Sequence, residues 1–217
     1  MEKMQALLVV NGELQGTEEE YRKMIGKGDY IIIAVDGGLL LAEQLGLFPD
    51  VLLGDFDSIP RDRLDYYREK GAEIIPYPVE KDETDAELAL NYCLNKGYDN
   101  LLLVGGIGGR LDQQLANIFL LEYAHRRGLN LIIKEPGLEL GIIDQEKSFY
   151  NCKDKYFSLL PISEKVEGVN LEGFQYGLQD AVLYRYMTRG ISNRFVENRA
   201  RVSLKKGIAL YLLQERI

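Results

Sequence analysis

The sequence predicts an α/β domain built on a mostly parallel sheet, followed by a smaller antiparallel β domain. Through residues 1–135, short apolar runs alternate with longer stretches of helical period, the pattern of successive βαβ units. After Glu135-Pro136-Gly137 the helical period is lost, and residues 136–217 hold only short apolar or alternating runs separated by Gly, Asn, Asp and Pro. Carboxylates and glycines also gather directly after apolar runs, where open α/β sheets hold ligands beyond the carboxyl ends of their strands.

Ala6-Leu7-Leu8-Val9-Val10 reads as a first buried strand, ending at Asn11-Gly12, and Ile31-Ile32-Ile33-Ala34-Val35 as a second, ending at Asp36-Gly37-Gly38. A short helix runs to Leu45 and stops at Gly46. Val51-Leu52-Leu53 is a third strand and leads into Gly54-Asp55-Phe56-Asp57-Ser58. Pro60 suits the first turn of a helix that reaches Lys70 and stops at Gly71, and Glu73-Ile74-Ile75-Pro76 follows as a short strand. Thr84 and Glu87 have capping-box spacing at the start of a helix through Asn95, with Gly97 past its end. Leu101-Leu102-Leu103-Val104 is the next strand, and Gly105-Gly106-Ile107-Gly108-Gly109-Arg110 follows it. The helix after this loop sets Leu111, Leu115, Ile118 and Phe119 on one face. Leu129 to Lys134 closes the first domain as a strand. In the second domain the strand candidates are residues 140–143, 156–160, 166–171, 201–204 and 208–213.

Composition narrows the chemistry. The 217 residues are 46% hydrophobic and 28% charged, the make-up of an ordinary globular protein with length enough for a core. A net charge of -8 argues against nucleic acid or an anionic membrane as partner, since both ask for a basic face. Met1-Glu2-Lys3-Met4-Gln5 lacks the layout of a signal peptide, and no run approaches the ~18 apolar residues of a membrane span, so the expected setting is cytoplasmic. Cys93 and Cys152 form no CxxC pair, which argues against zinc and redox sites. The single histidine, His125, precedes Arg126, Arg127 and Gly128 and reads as part of a helix C-terminus. A metal working here would be a hard cation on carboxylates, with Mg²⁺ the expected ion.

Asp55 and Asp57 are the first candidates for such a site. In an extended segment they share a side while Phe56 points away. Two carboxylates about 4 Å apart repel by about 4 kcal/mol at an effective dielectric of about 20, a penalty that a divalent cation removes. The same residues suit a turn or a helix cap, and both readings stand. Asp85 is either a further ligand or a carboxylate complementing its helix dipole. Lys81 and Asp82, just before it, are surface charges or contacts to phosphate and metal. Four glycines in five positions at 105–109 let backbone approach an anion at a helix start, and Arg110 adds bidentate phosphate recognition. The loop fits neither GxGxxG nor the Gly-Lys-Ser/Thr ending of a P-loop. Gly190-Ile191-Ser192-Asn193 is a turn-like cluster in the second domain.

Taken in order, Asp36-Gly37-Gly38, Gly54-Asp55-Phe56-Asp57-Ser58, Lys81-Asp82-Glu83-Thr84-Asp85, Gly108-Gly109-Arg110-Leu111-Asp112 and Gly190-Ile191-Ser192-Asn193 resemble the thiamine pyrophosphokinase family over most of the chain. The resemblance implies a Rossmann-like domain at 1–135 that binds ATP and Mg²⁺, and a β-sandwich domain at 136–217 that binds thiamine and dimerises. It implies transfer of a pyrophosphoryl group from ATP to the thiamine hydroxyl, giving thiamine diphosphate and AMP. Mg²⁺ would sit on Asp55, Asp57 and Asp85, which with Arg110 would carry catalysis, and Asp36, nearby, would belong to the ligand site. Gly37, Lys81, Asp82, Thr84, Gly108, Gly109, Arg110, Asp112 and Gln113 would join the ligand site. Ser192 and Asn193 would line a thiamine cleft formed in a homodimer. The family often has His where this chain has Gln113, which can hydrogen-bond a ligand but cannot shuttle a proton near neutral pH. Asp85 and Asp112 both remain open as acceptors of the hydroxyl proton. Two other functions remain open as well: pyrophosphoryl transfer to another alcohol such as a hydroxymethylpterin, and a non-catalytic thiamine- or nucleotide-binding regulator.

Overall fold

A computed structural model of the chain describes residues 5–215 apart from Lys27 and Ser58. Ser58, read from the sequence as part of the paired-Asp turn, therefore lies outside the described residues. The chain divides into two compact units, Met1–Pro136 and Gly137–Ile217.

The first unit is an α/β unit with strands β1 (Gln5–Val9), β2 (Tyr30–Val35), β3 (Val51–Gly54), β4 (Glu73–Pro76), β5 (Asn100–Val104) and β6 (Asn130–Glu135). They lie in the order β6-β5-β1-β2-β3-β4, all parallel. Ala6–Val9, Ile33–Val35 and Val51–Leu53 are all buried, as strands covered on both faces must be. The chain leaves β1 toward β2 on one side and returns through β5 on the other, so the loops after β1 and β5 part in opposite directions. That is the switch point of the sheet, where open α/β folds form a ligand crevice. Helices α1 (Glu18–Ile25), α2 (Gly38–Gln44), α3 (Arg61–Glu69), α4 (Asp85–Lys96) and α5 (Leu111–Arg126) connect the strands.

Side chains cap the starts of α1 and α4. Thr17 caps α1 in a complete capping box with Glu20, and Thr84 accepts a hydrogen bond from the Glu87 N–H at the start of α4. Gly97 ends α4 in the left-handed conformation. Helix α1 has no counterpart among the elements read from the sequence, although Thr17-x-x-Glu20 is its signature. In α5 the buried side chains are Asn117, Leu120, Leu121 and Ala124. Leu111, Leu115 and Phe119, which share the face picked out by their spacing, are exposed. This helix is apolar on more than one side, so spacing alone cannot choose the buried face. No helix among the described residues is long and apolar enough to cross a membrane.

The second unit is a β-sandwich. One sheet orders β12 (Asn193–Arg194), β9 (Tyr156–Pro161), β14 (Ala209–Gln214) and β7 (Leu138–Ile143), paired antiparallel. The other orders β11 (Leu178–Tyr184), β10 (Lys165–Glu172), β13 (Arg199–Ser203) and β8 (Glu146–Tyr150), also antiparallel. Phe157, Leu159 and Tyr211 from the first sheet and Phe149, Val166, Val169 and Val202 from the second share one core. Phe149 makes edge-on ring contacts with both Phe157 and Tyr211, at centroid distances of 5.4 Å.

Candidate active site

The site lies where β1, β2, β3 and β5 end. At the end of β2, Asp36 takes the left-handed conformation (φ 47°), rare for a residue with a side chain. Gly54 at the end of β3 makes room for it. A Cβ on Gly54 would stand 3.0 Å from the Cα of Asp36. The turn after β3 is not extended, contrary to the geometry assumed from the sequence. Phe56 is left-handed (φ 57°) and packs into the core beside Leu39, Leu52 and Ile59. The Asp57 N–H donates to Asp55 Oδ1 at 3.1 Å, closing the turn. The carboxylates still converge, because burial of Phe56 swings the flanking aspartates outward together.

Asp36, Asp55 and Asp57 each offer an oxygen within 4.8 Å of the others. Oδ1 of Asp36 is buried and has no hydrogen-bond partner. Burial pushes the Asp36 carboxyl above its ordinary range, opposed by the Gly37 N–H and reinforced by the charges of Asp85, Asp55 and Asp57. An orphaned oxygen among three crowded carboxylates fits a hard divalent cation, which takes several oxygen ligands and cancels their repulsion. Asp85 contributes to the same negative field, but its own carboxylate is held by Lys81 Nζ at 2.6 Å. Lys81 is largely buried and also lies 5.8 Å from the Tyr77 ring centroid. Asp82 is exposed in the turn before α4.

Beside this group lies a cleft of about 500 Å³ whose lining includes Asp36, Thr84, Asp85, Gly108, Gly109, Arg110 and Gln113. It also takes in Asn11, Gly12, Glu13 and Asn117. Gly108 and Gly109 both have positive φ, at 111° and 72°. Arg110 grips Asp112 with two hydrogen bonds, Nε at 3.1 Å and Nη2 at 2.6 Å, and both side chains are exposed. The pairing holds the Asp112 carboxyl below its ordinary range. Gly37 lies at the start of α2, directly against the Asn11 side chain.

Ser192 and Asn193 belong to the second unit. Ser192 is left-handed (φ 57°) and lines a cavity with Tyr156, Ser158, Gln175, Tyr176, Arg194 and Gln214. The Asn193 side chain is buried and turned away from solvent. It accepts from the Tyr176 N–H at 3.0 Å and donates to the Tyr176 carbonyl at 2.8 Å, fixing the segment that carries the exposed Tyr176 ring.

Residues 21–133 match the family model described as thiamin pyrophosphokinase, catalytic domain, and residues 142–209 match thiamin pyrophosphokinase, vitamin B1 binding domain. The chain belongs to the thiamine pyrophosphokinase family. The thiamine pyrophosphokinase of Bacillus subtilis strain 168 is 31% identical over 205 residues, covering 92% of this chain and 91% of that protein. The solved structure of thiamine pyrophosphokinase from Bacillus subtilis superposes with a TM-score of 0.84 at 25% identity, covering 98% of this chain and 100% of that one. The corresponding protein from Geobacillus thermodenitrificans gives a TM-score of 0.83 at 26% identity, covering 98% of each chain. Transfer of pyrophosphate from ATP to thiamine is the activity of this family.

Membership does not account for every residue gathered here, and sequence reasoning missed several. Asn11 and Gly12 read only as the end of a strand, yet a Cβ on Gly12 would stand 1.9 Å from the Gly105 carbonyl oxygen. The two switch-point loops therefore touch backbone to backbone, which only glycine allows. Asn117, buried in α5, donates to the Gly106 carbonyl at 2.9 Å. Glu135 read only as the place where the sequence texture changes. It is 1% exposed at the end of β6 and accepts from the Tyr21 hydroxyl at 2.5 Å and the Ile107 N–H at 3.2 Å. Burial pushes its carboxyl up to about 7, against the Tyr21 hydroxyl and the N–H groups of Ile107, Gly106 and Gly105, all of which favour the anion. The signal that could have found it is a glutamate ending an otherwise apolar strand.

Proposed function

We propose that this chain transfers the pyrophosphoryl group of ATP to the hydroxyl of thiamine, with Asp55, Asp57 and Asp85 holding Mg²⁺ and Asp36 completing the carboxylate group. The unpartnered, buried Oδ1 of Asp36, within 4.8 Å reach of the Asp55 and Asp57 oxygens, is the observation that carries this reading. Mg²⁺, when bound, supplies neutralising charge and orientation to the phosphate oxygens. The residues of the chain do the rest. Lys81 restrains Asp85 in the free protein and turns to a phosphate when the nucleotide enters, freeing the carboxylate. Gly108 and Gly109 let the backbone approach the polyphosphate, and Arg110 exchanges its exposed partner Asp112 for a phosphate. That exchange is cheap because exposed ion pairs contribute little. Asp112 remains a poor proton acceptor for as long as Arg110 holds it. Thr84, Asp82, Gly37 and Gln113 border the nucleotide, and the thiamine ring is recognised in the second domain. There Ser192 faces the cavity and Asn193 acts by holding Tyr176 in place.

The hydroxyl of thiamine attacks the β-phosphorus in line, and AMP leaves. Such transfers depend on positioning and charge stabilisation more than on covalent chemistry by the protein. Crowded carboxylates beside a cleft of nucleotide size favour catalysis over passive binding, since a regulator would gain nothing from their mutual repulsion. We further propose a homodimer in the cytoplasm. The exposed apolar row Leu111, Leu115 and Phe119 on α5 supports self-association, and consumption of ATP suits that compartment.

The reading is tested where the two substrates part. Losing a bidentate, charge-assisted contact costs about 1.5–3 kcal/mol, so Arg110→Ala is expected to raise KM for ATP roughly 10- to 100-fold and leave KM for thiamine nearly unchanged. An equal rise for both substrates contradicts the phosphate role.

A further inference from the structure

We propose that Glu135 is a positioning residue for the reaction: its carboxylate, buried behind the glycine-rich loop, sets that loop in the shape that receives the polyphosphate. The inference rests on the reading that this loop binds the phosphates of ATP.

Four glycines in a connecting loop carry a conformational cost. Glycine loses more freedom on ordering than any other residue, so an unsupported loop of this composition would sample many shapes. Glu135 removes that freedom from inside. One carboxylate oxygen accepts the Ile107 N–H at 3.2 Å, and the N–H groups of Gly106 and Gly105 also favour its charge. Successive backbone N–H groups turned to one side form an anion-binding concavity. Here the anion facing the first half of the loop is a carboxylate of the chain itself. Gly108, Gly109 and Arg110, in the second half, are left to meet a ligand.

The other oxygen of Glu135 accepts from the Tyr21 hydroxyl at 2.5 Å, and that hydroxyl accepts from the Gln15 N–H at 3.1 Å. The loop after β1 is thereby tied to the same carboxylate through α1. Both walls of the cleft hang on one buried acid, and neither interaction requires the ligand. A loop ordered in advance does not lose its conformational entropy when the nucleotide binds, so ATP binds more tightly. Thiamine, recognised in the second domain, gains nothing directly.

The experiment compares Glu135→Gln and Tyr21→Phe with the parent protein in steady-state kinetics for each substrate, alongside thermal unfolding and the Arg110→Ala variant. Glu135→Gln keeps the size of the side chain and one acceptor oxygen but puts an NH₂ in place of the other, so it cannot accept from both the Ile107 N–H and the Tyr21 hydroxyl. The expected result is a rise in KM for ATP of about ten-fold with KM for thiamine within two-fold of the parent. Tyr21→Phe moves the same constant in the same direction by about three-fold. Unchanged KM for ATP in a folded Glu135→Gln protein overturns the proposal, as does a parallel loss for both substrates that follows the melting temperature. If Glu135→Gln does not fold, Tyr21→Phe decides by the same criterion. If Arg110→Ala also leaves KM for ATP unchanged, the phosphate reading of the loop has failed. If Arg110→Ala raises it and the other variants do not, the role of Glu135 alone has failed.

Discussion

Asp57→Asn is expected to lower turnover by about 10²–10³-fold while the protein unfolds at the same or a slightly higher temperature. One charge has two opposite effects here. In the free protein Asp57 repels Asp55 and Asp36, and its oxygen lies within 4.8 Å of theirs, so neutralising it relieves the folded state. On the proposed reading the same carboxylate is a ligand to the cation that organises the phosphates, and an amide oxygen is a far weaker ligand for Mg²⁺. Asp57 is exposed, so the fold has little reason to fail. Turnover and thermal unfolding measured on the same preparation check this. Near-normal turnover in the folded variant removes Asp57 from the metal site. A large loss of stability would make it a structural residue instead.

The second large effect is expected from one methyl group. In Gly12→Ala the new carbon would stand 1.9 Å from the Gly105 carbonyl oxygen and 2.6 Å from its carbon, both backbone atoms that no rotamer change can move. One of the two switch-point loops must therefore shift. Overpacking of this kind costs about 3 kcal/mol, which in a chain of this length lowers the melting temperature by roughly 6–12 °C. Because both loops line the cleft, KM for ATP should rise whichever of them moves. Calorimetry with the kinetics of the same variant checks both parts. An unchanged melting temperature would mean that the two loops are not in backbone contact.

The two-part fold was legible because its signals are local. Continuous apolar runs such as Ile31–Val35, buried over Ile33–Val35, and Val51–Leu53 make interior strands, and the loss of helical period after Gly137 marks the β-sandwich. The missed or misread features depend on contacts far apart in sequence. Helix α1 buries only Tyr21 and Ile25, so its apolar period is too sparse to read, and only its capping box announces it. The apolar residues of α5 lie on several sides, and its buried face is fixed by packing and by the bond from Asn117 to the Gly106 carbonyl.

The site divides in the same way. Asp36, Asp55 and Asp57 stood out in the sequence because Asp36 and Asp55 directly follow strand ends and Asp57 lies in the same turn as Asp55, and the topology brings those strand ends to one edge. The left-handed turn at Phe56 could not, since a phenylalanine gives no local hint of positive φ and adopts it only because its ring is buried with Leu39, Leu52 and Ile59. Glu135 and Tyr21 are 114 residues apart, and no spacing rule connects them. Asn193 stood out as a polar residue in a turn, and the fold spends that polarity on the Tyr176 backbone.

The most direct test of the central claim is the identity and ratio of the products formed when the purified protein is given ATP, Mg²⁺ and thiamine, with thiamine-free and EDTA-treated controls. AMP and thiamine diphosphate in equal amounts, with neither formed in the two controls, is the predicted result. ADP with thiamine monophosphate, or AMP and thiamine diphosphate formed undiminished in excess EDTA, would contradict it.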